Sequence, residues 1–200
     1  MITSLLCVKS SAAVIDFVAK LFAEAMSTTS QSETTAALAR GVTRRPEKTD
    51  DEPFLFEVYA STRREELALT SWDPQTQMAF LQMQFKAMRC GYAAQYPNAE
   101  FAILLLAGQP VGRMVIDRGQ EYICLVDLTL LPQHRGLGIG SALMTDLLLE
   151  ANRVGKPVQL HVFKHTRPVR WYERFGFVKT IDSGPYDQME WQPERLSHRS

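Results

Sequence analysis

A glycine-rich stretch after the middle of the chain constrains the fold more than any other feature. It follows an apolar run, Ile123 to Leu131, typical of a buried strand, and it precedes apolar residues at helical spacing. The first amides of such a helix have no partner within it, and the helix macrodipole adds positive potential there. A strand, a glycine turn and a helix in this order predict a site for a phosphate or pyrophosphate group. The stretch reads Gln133-His134-Arg135-Gly136-Leu137-Gly138-Ile139-Gly140-Ser141.

The spacing of these glycines excludes two common nucleotide-binding loops. A P-loop requires a lysine directly after its last glycine, and no lysine follows here. A dinucleotide fingerprint requires G-x-G-x-x-G, whereas Ser141 occupies the position of the third glycine. The stretch resembles instead the Q/R-x-x-G-x-G/A signature of the GNAT acyl-coenzyme A-dependent N-acetyltransferases, with Gln133, Gly136 and Gly138 in register.

A second segment, Trp171 to Phe177, resembles the LYE-x-x-GF element that closes the acetyl-coenzyme A site in the same superfamily. Between the two motifs the sequence predicts one helix ending near Gly155 and one strand from Val158 to Val162, as the family requires. Thr166 is predicted to cap the helix that carries the second motif. The resemblance covers roughly residues 53 to 191.

The remaining pattern is typical of an α/β domain. A first strand is predicted from Phe54 to Tyr59, then a short helix with a capping box from Thr62 to Glu65, then a helix starting at Asp73. The resemblance implies the GNAT fold, a single domain with a mixed, mostly antiparallel central sheet of six to seven strands flanked by helices and an N-terminal extension. The later predicted strands are Phe101 to Leu106, Val111 to Asp117, Tyr122 to Leu131, Val158 to Val162, Val178 to Asp182 and Tyr186 to Trp191.

The first 52 residues differ in composition from the rest. Residues 1–25 have apolar positions at helical spacing, and charged residues interrupt them, so an amphipathic helix is predicted rather than a membrane span or signal peptide. An equally open interpretation is that the natural start is Met26. Residues 27–52 are rich in Ser, Thr and charged residues, which predicts a flexible linker that is dispensable for chemistry. We therefore expect a helix and linker over 1–52, the acetyltransferase domain over 53–193, and a tail over 194–200.

Composition excludes several classes of function. Basic and acidic residues number 22 each, and no basic block interleaves with aromatic residues, so nothing indicates a nucleic-acid or membrane partner. Cys7, Cys90 and Cys124 lack metal-site spacing, and their odd number disfavours a disulfide framework. We therefore expect a cytoplasmic protein that uses no metal.

The resemblance implies how acetyl-coenzyme A binds as a cosubstrate. The backbone amide of Leu130 would face the oxyanion of the tetrahedral intermediate, and the pantetheine arm would pair with the strand edge from Leu128 to Leu130. Thr166 and His165 occupy positions where many relatives carry an asparagine that bonds to the cofactor. The cofactor is also expected to contact the whole loop: Gln133, His134, Arg135, Gly136, Leu137, Gly138, Ile139, Gly140 and Ser141.

Two residues are candidates for proton transfer. Tyr172 matches the family tyrosine beside the thioester sulfur, and a phenol can donate a proton to a departing thiolate. Asp127 lies three residues before Leu130, where some family members place a carboxylate. It is interpreted with equal weight as the general base or as a carboxylate that braces neighbouring backbone.

The acceptor is interpreted as a small-molecule or peptide amine, and a homodimer is possible. The resemblance implies an acceptor pocket built from the first two helices, their loop and the final hairpin, including Asp73, Tyr92, Tyr96 and Tyr186. Asp73 is alternatively a helix N-cap, the preferred interpretation. Two other functions remain open: a non-catalytic acyl-coenzyme A-binding regulatory module, and an acetyltransferase of protein lysines or N-termini.

Overall fold

The computed structural model describes Ala37 and residues 40–193, so the predicted N-terminal helix and the C-terminal tail lie outside the described residues. No helix within the described ranges is both long and apolar enough to cross a membrane. The helices are α1 (Glu52–Ser61), α2 (Arg64–Ala68), α3 (Pro74–Gln95), α4 (Ile139–Val154) and α5 (Arg167–Glu173). The strands are β1 (Val42–Pro46), β2 (Glu100–Leu106), β3 (Gln109–Arg118), β4 (Ile123–Leu130), β5 (Val158–Phe163), β6 (Val178–Ser183) and β7 (Tyr186–Trp191).

The strands form one mixed sheet of seven strands in the order β1-β2-β3-β4-β5-β7-β6. Every neighbouring pair is antiparallel except β4 and β5, which are parallel. The crossover between these two strands is α4, the helix that begins directly after the glycine-rich loop. The predicted mixed, mostly antiparallel sheet flanked by helices is confirmed.

Helices cover both faces of the sheet because its central strands are apolar on both sides. On β2, Ile103 packs into a cluster with α1, α2 and α3, whereas the adjacent Leu104 packs into a larger cluster with α4. The alternation of successive side chains across a strand explains this division. The loops at the carboxyl end of β4 therefore lie between two helical layers.

The predicted linker is wrong over residues 42–51. Val42–Pro46 is an edge strand that pairs antiparallel with β2, and Thr49–Asp51 is a 3-10 turn leading into α1. Val42 is only 3% exposed, while the arginines that follow it face solvent or pair with surface carboxylates. Polar composition concealed this strand, because charged residues are common on edge strands. The domain boundary itself stays a prediction.

The predicted strand from Phe54 to Tyr59 is also wrong, because these residues lie in α1. Pro53 occupies the first turn, where its missing N–H costs nothing. Leu55, Val58 and Tyr59 are buried at the i, i+3, i+4 spacing of a helix face, and Leu55 and Tyr59 pack into a cluster with residues of α3. Two further local predictions differ in outcome. The capping box at Thr62 does not form, since Thr62 donates its hydroxyl to Tyr59 O, whereas Asp73 caps α3 as predicted.

Candidate functional site

The central feature of the candidate site is a divergence of two neighbouring strands. The parallel pairing of β4 with β5 runs from Ile123–Val158 to Leu125–Leu160 and stops there. β4 continues to Leu130 and β5 continues to Phe163. The carboxyl halves of the two strands therefore enclose an opening in the middle of the sheet, which we call the cleft.

The β4 edge of the cleft carries backbone amides that point into it. Leu131 donates its N–H to Val111 O on the β3 side, at 2.9 Å. Because successive residues of a strand direct their amides to opposite edges, the amides of Leu130 and Leu128 point away from β3. They face the side from which β5 has diverged. This arrangement is the edge predicted for residues 128 to 130.

Two features of β3 and β4 shape this edge. The register shifts between Val115 and Ile116, which leaves Val126 as an extra residue in β4 at the start of the cleft. Such a bulge bends its strand and increases the local twist. Farther along, a Cβ atom on Gly112 would lie 2.3 Å from Thr129 O, so only glycine allows β3 to approach β4 this closely.

The glycine-rich loop closes the end of the cleft. Gly136 and Gly138 have φ angles of 75° and 78°, in the left-handed region that glycine adopts readily. Helical hydrogen bonding in α4 begins with Ala142 N–H donating to Gly138 O at 3.0 Å. The amides of Ile139, Gly140 and Ser141 come before this first bond and therefore have no acceptor within the helix. They lie at the positive end of the helix dipole. The predicted strand, turn and helix are all present.

The side chains of the loop differ widely in their environments. Arg135 turns away from the glycines, because its Nε donates to Leu130 O at 2.8 Å and its guanidinium also contacts Ser61 Oγ. Ile139 is buried in the core, so its side chain is withdrawn from any ligand at the loop surface. Gly140 lies against the Trp171 ring. Of the remaining loop residues, Gln133, Gly136 and Leu137 are exposed, whereas His134, Gly138 and Ser141 are half-buried.

Tyr172 lies on α5 beside the cleft, packed edge-on against Trp171 and Phe177 at centroid distances of 4.9 and 5.7 Å. Burial, and secondarily the negative charge of Asp127, raise the pKa of the Tyr172 phenol above its ordinary value. The phenol is therefore protonated throughout the neutral range. The effect of the Asp127 charge on the Tyr172 pKa indicates that the two predicted proton-transfer residues lie on the same side of the cleft region.

Asp127 has two polar partners that the sequence analysis did not identify. Its Oδ2 lies 3.4 Å from Nε of Arg113, and its Oδ1 accepts a hydrogen bond from Thr129 Oγ1 at 2.7 Å. Arg113 is only 2% exposed and stacks over the Tyr92 ring, with its guanidinium 5.6 Å from the ring centroid. The bracing role that was considered for Asp127 thus has direct contacts in its support. A charged residue within the apolar run Val111–Ile116 was the available signal for Arg113.

The predicted acceptor residues divide into two groups. Tyr92 lies under the Arg113 guanidinium and Tyr186 packs edge-on against Phe163 at the carboxyl end of β5, so both lie near the cleft. Burial is the main cause that raises the pKa of the Tyr92 phenol. The Tyr96 ring packs edge-on against that of Tyr92, with 6.5 Å between centroids, and its hydroxyl lies toward Cys124, near the opposite end of β4. Asp73 caps α3 by accepting from the amides of Gln75 and Thr76.

The loop after β5 carries Thr166 and His165. Thr166 is the N-cap residue of α5, but its hydroxyl donates to Phe163 O at 2.6 Å rather than capping through its side chain. His165 is exposed and has a φ angle of 57°, unusual for a residue with a side chain. Over residues 40–193, no three His, Cys, Asp or Glu side chains are arranged to hold a metal ion.

Comparison with known proteins supplies independent information about this architecture. Residues 97–179 match the family model described as the acetyltransferase (GNAT) domain. This range includes β2 to β5, both motifs and the cleft. Comparison with curated proteins gives no match.

Solved structures share the fold over most of their length. PaiA N-acetyltransferase from Thermoplasma acidophilum, in complex with coenzyme A, is 15% identical with a TM-score of 0.58 and covers 76% of this chain and 98% of its own. A histone acetyltransferase HPA2 and related acetyltransferase from Corynebacterium glutamicum is 20% identical, with a TM-score of 0.54 and coverages of 79% and 99%. The ribosomal-protein-S18-alanine N-acetyltransferase from Escherichia coli is 15% identical, with a TM-score of 0.53 and coverages of 80% and 98%. At these identities the similarity demonstrates a common fold.

Proposed function

We propose that this chain, whose residues 97–179 match the acetyltransferase (GNAT) domain model, moves an acetyl group from acetyl-coenzyme A to a primary amine by direct attack in a ternary complex. The observation that carries the proposal is the cleft itself. Three features border this opening: the β4 amides that point away from β3, the glycine loop at the start of α4, and a protonated tyrosine. A thioester donor needs these three elements for binding, carbonyl activation and departure of the thiolate.

The glycine loop and the β4 edge hold the cosubstrate in this proposal. Diphosphate oxygens accept hydrogen bonds from the amides of Ile139, Gly140 and Ser141, where the helix dipole favours negative charge. The pantetheine arm pairs with the edge from Leu128 to Leu130 as a strand would. The Leu130 amide then stabilises negative charge on the acetyl oxygen during attack.

Tyr172 protonates the departing thiolate. Its phenol retains its proton at neutral pH, since burial and the charge of Asp127 raise its pKa. The phenol donates a hydrogen bond to the sulfur as negative charge develops there, and the proton that it gives to the thiolate is replaced by the one that the amine nitrogen loses after attack. A tyrosine ionised at neutral pH would lack this capacity.

Asp127 receives the acceptor amine. A primary amine of pKa about 10.4 arrives as an ammonium group and must lose a proton before it attacks. In this proposal the carboxylate of Asp127 binds that ammonium through its charge and passes the released proton on to water. Arg113 and Thr129 hold the carboxylate in place, which limits its conformational freedom.

An acceptor screen tests the proposal. Acetyl-coenzyme A is incubated with polyamines, amino acids, aminoglycosides and peptides, and released thiol is measured together with the mass of the acceptor. We expect thiol release that depends on one class of acceptor, with a gain of one acetyl group per amine. Tight coenzyme A binding without acceptor-dependent release would instead favour the regulatory module, and absence of binding would reject both functions.

A further inference from the structure

A guanidinium group from outside the segment that matches the family model lies on the glycine loop. Arg40 precedes β1, and its Nη1 lies 2.9 Å from the position that a Cβ atom on Gly138 would occupy. The same nitrogen donates to Leu137 O at 3.4 Å, longer than an ordinary N–H···O hydrogen bond. Arg40 is exposed, so its guanidinium is open to a ligand at the loop.

The backbone on both sides of Arg40 is attached to the domain. On one side, Ala37 donates its N–H to Asp146 Oδ2 on α4 at 3.0 Å and packs into the core beneath that helix. On the other side, Val42 is buried and pairs with Leu106 of β2. Ala37 and Val42 are thus both attached to the domain, and Arg40, which lies between them in sequence, reaches Gly138 from a defined position.

This position is electrostatically unfavourable in the absence of an anion. The amino-terminal end of α4 carries the positive end of the helix dipole, which repels a cation. Arg135, the arginine within the loop, avoids that end by bonding to Leu130 O and Ser61 Oγ on the far side. Arg40 does not avoid it, and within the described part of the chain its guanidinium donates to Leu137 O alone, over a long distance. An anion between the guanidinium and the amides would convert this repulsion into two attractions.

We propose that Arg40 is a ligand of the diphosphate of coenzyme A, closing over the glycine loop from the segment before β1. This assignment depends on the proposed function, because it supposes that the loop binds coenzyme A. The guanidinium supplies a charge-assisted hydrogen bond to a diphosphate oxygen that the amides of Ile139 and Gly140 contact from the other side. The cosubstrate site then extends beyond the two motifs to Arg40, ahead of β1.

Calorimetric titration of the full chain tests the assignment with three ligands: coenzyme A, dephospho-coenzyme A and pantetheine. Arg40→Ala should weaken binding of both diphosphate-containing ligands by roughly tenfold to a hundredfold, as expected for a lost charged hydrogen bond. Pantetheine lacks the diphosphate, so its affinity should not change. Arg40→Lys, which keeps the charge, should recover part of the loss.

Arg44→Ala is the matched control, since Arg44 is a nearby arginine on β1 that pairs with Glu100 at 3.9 Å and lies away from the loop. It should bind all three ligands like the wild type. Unchanged affinity for coenzyme A in Arg40→Ala would overturn the assignment, and so would a loss confined to coenzyme A, which would indicate the 3′-phosphate. If the wild type itself fails to bind coenzyme A, the proposed function is rejected instead.

Discussion

Arg113 and Asp127 form an ion pair across β3 and β4, with 3.4 Å between Nε and Oδ2, and their side chains are only 3% and 16% exposed. Their position beside the cleft links the stability of the sheet to the candidate chemistry. Removing one member of a buried pair leaves the other charge without compensation, which costs more than the pair contributes when intact.

Arg113→Met should lower the free energy of unfolding by about 3–5 kcal/mol, because the Asp127 carboxylate stays in place without its partner. Arg113→Met combined with Asp127→Asn should recover a large part of that loss. Urea denaturation of the wild type, both single variants and the double variant gives the coupling energy. A double variant less stable than the sum of the single changes would contradict the ion-pair interpretation.

Gly112→Ala should disrupt the β4 edge of the cleft. The new Cβ would lie 2.3 Å from Thr129 O, so β3 and β4 must move apart, at a cost of about 1–3 kcal/mol or more. Gly91→Ala is the control, because that site on α3 has open space around it and alanine favours a helix. Thermal unfolding should show a lower midpoint for the first variant only. Equal midpoints would show that the close approach of these strands is not required.

Gly138→Val should weaken binding of acetyl-coenzyme A by roughly tenfold or more, measured by calorimetry. The branched side chain would stand where the diphosphate is expected and would force strain at a φ of 78°. Gly155→Val imposes similar strain, with φ 67° and open surroundings, at the opposite end of the same helix. It should lose stability but keep cofactor affinity. Normal affinity in a folded Gly138→Val protein would exclude the loop as the binding site.

Tyr172→Phe should keep coenzyme A affinity while turnover falls by about a hundredfold. Tyr96→Phe removes a hydroxyl that lies toward Cys124 and keeps the ring that packs on Tyr92, so this variant should turn over normally. The pH profile adds a second measurement. A proton donor loses activity as the pH rises through its pKa, and the pKa of Tyr172 is raised, so this loss should begin above the ordinary phenol value of about 10. An activity loss centred below that value would assign the proton to another group.

A chain beginning at Glu52 should unfold at a midpoint roughly 5 °C or more below that of the full chain, because it lacks β1 and exposes the edge of β2. The sequence alone favoured the opposite result. A chain beginning at Ala37 keeps β1 and should match the full protein in a thermal-shift assay. If the chain beginning at Glu52 is equally stable and is stabilised equally by cofactor, β1 contributes nothing measurable.

The elements around the two motifs were predictable because their local signals agree with their tertiary environment. The apolar run of β4, the glycines and the apolar face of α4 all indicate the same strand, turn and helix. The segment from Phe54 to Tyr59 gave conflicting signals. Its aromatic and β-branched residues favour a strand, whereas Pro53 and the spacing of its buried residues favour the helix that forms. Packing against α3 decides the outcome.

Side-chain directions were much less predictable than backbone elements. Arg135 adjoins the loop glycines in sequence, but its guanidinium lies toward Ser61 on α1. Arg40 is far from the loop in sequence but lies against it, because β1 begins at the end of the sheet where β2 ends and where the loop follows β4. Arg113 pairs with a carboxylate on the next strand. Such contacts depend on the register between strands, which sequence periodicity alone does not specify.

The short pairing between β4 and β5 has a mechanical consequence. Since strand pairing joins the two halves of the sheet along Ile123 to Leu125 alone, the apolar face of α4 must hold the angle between them. Leu143 and Leu147 belong to the same cluster as Leu125 on one half and Leu160 on the other. The size of the α4 side chains that pack between the two halves of the sheet thus determines how far apart those halves stand. Replacing Leu143 or Leu147 with a larger or smaller residue should therefore change the width of the cleft without altering any residue that lines it.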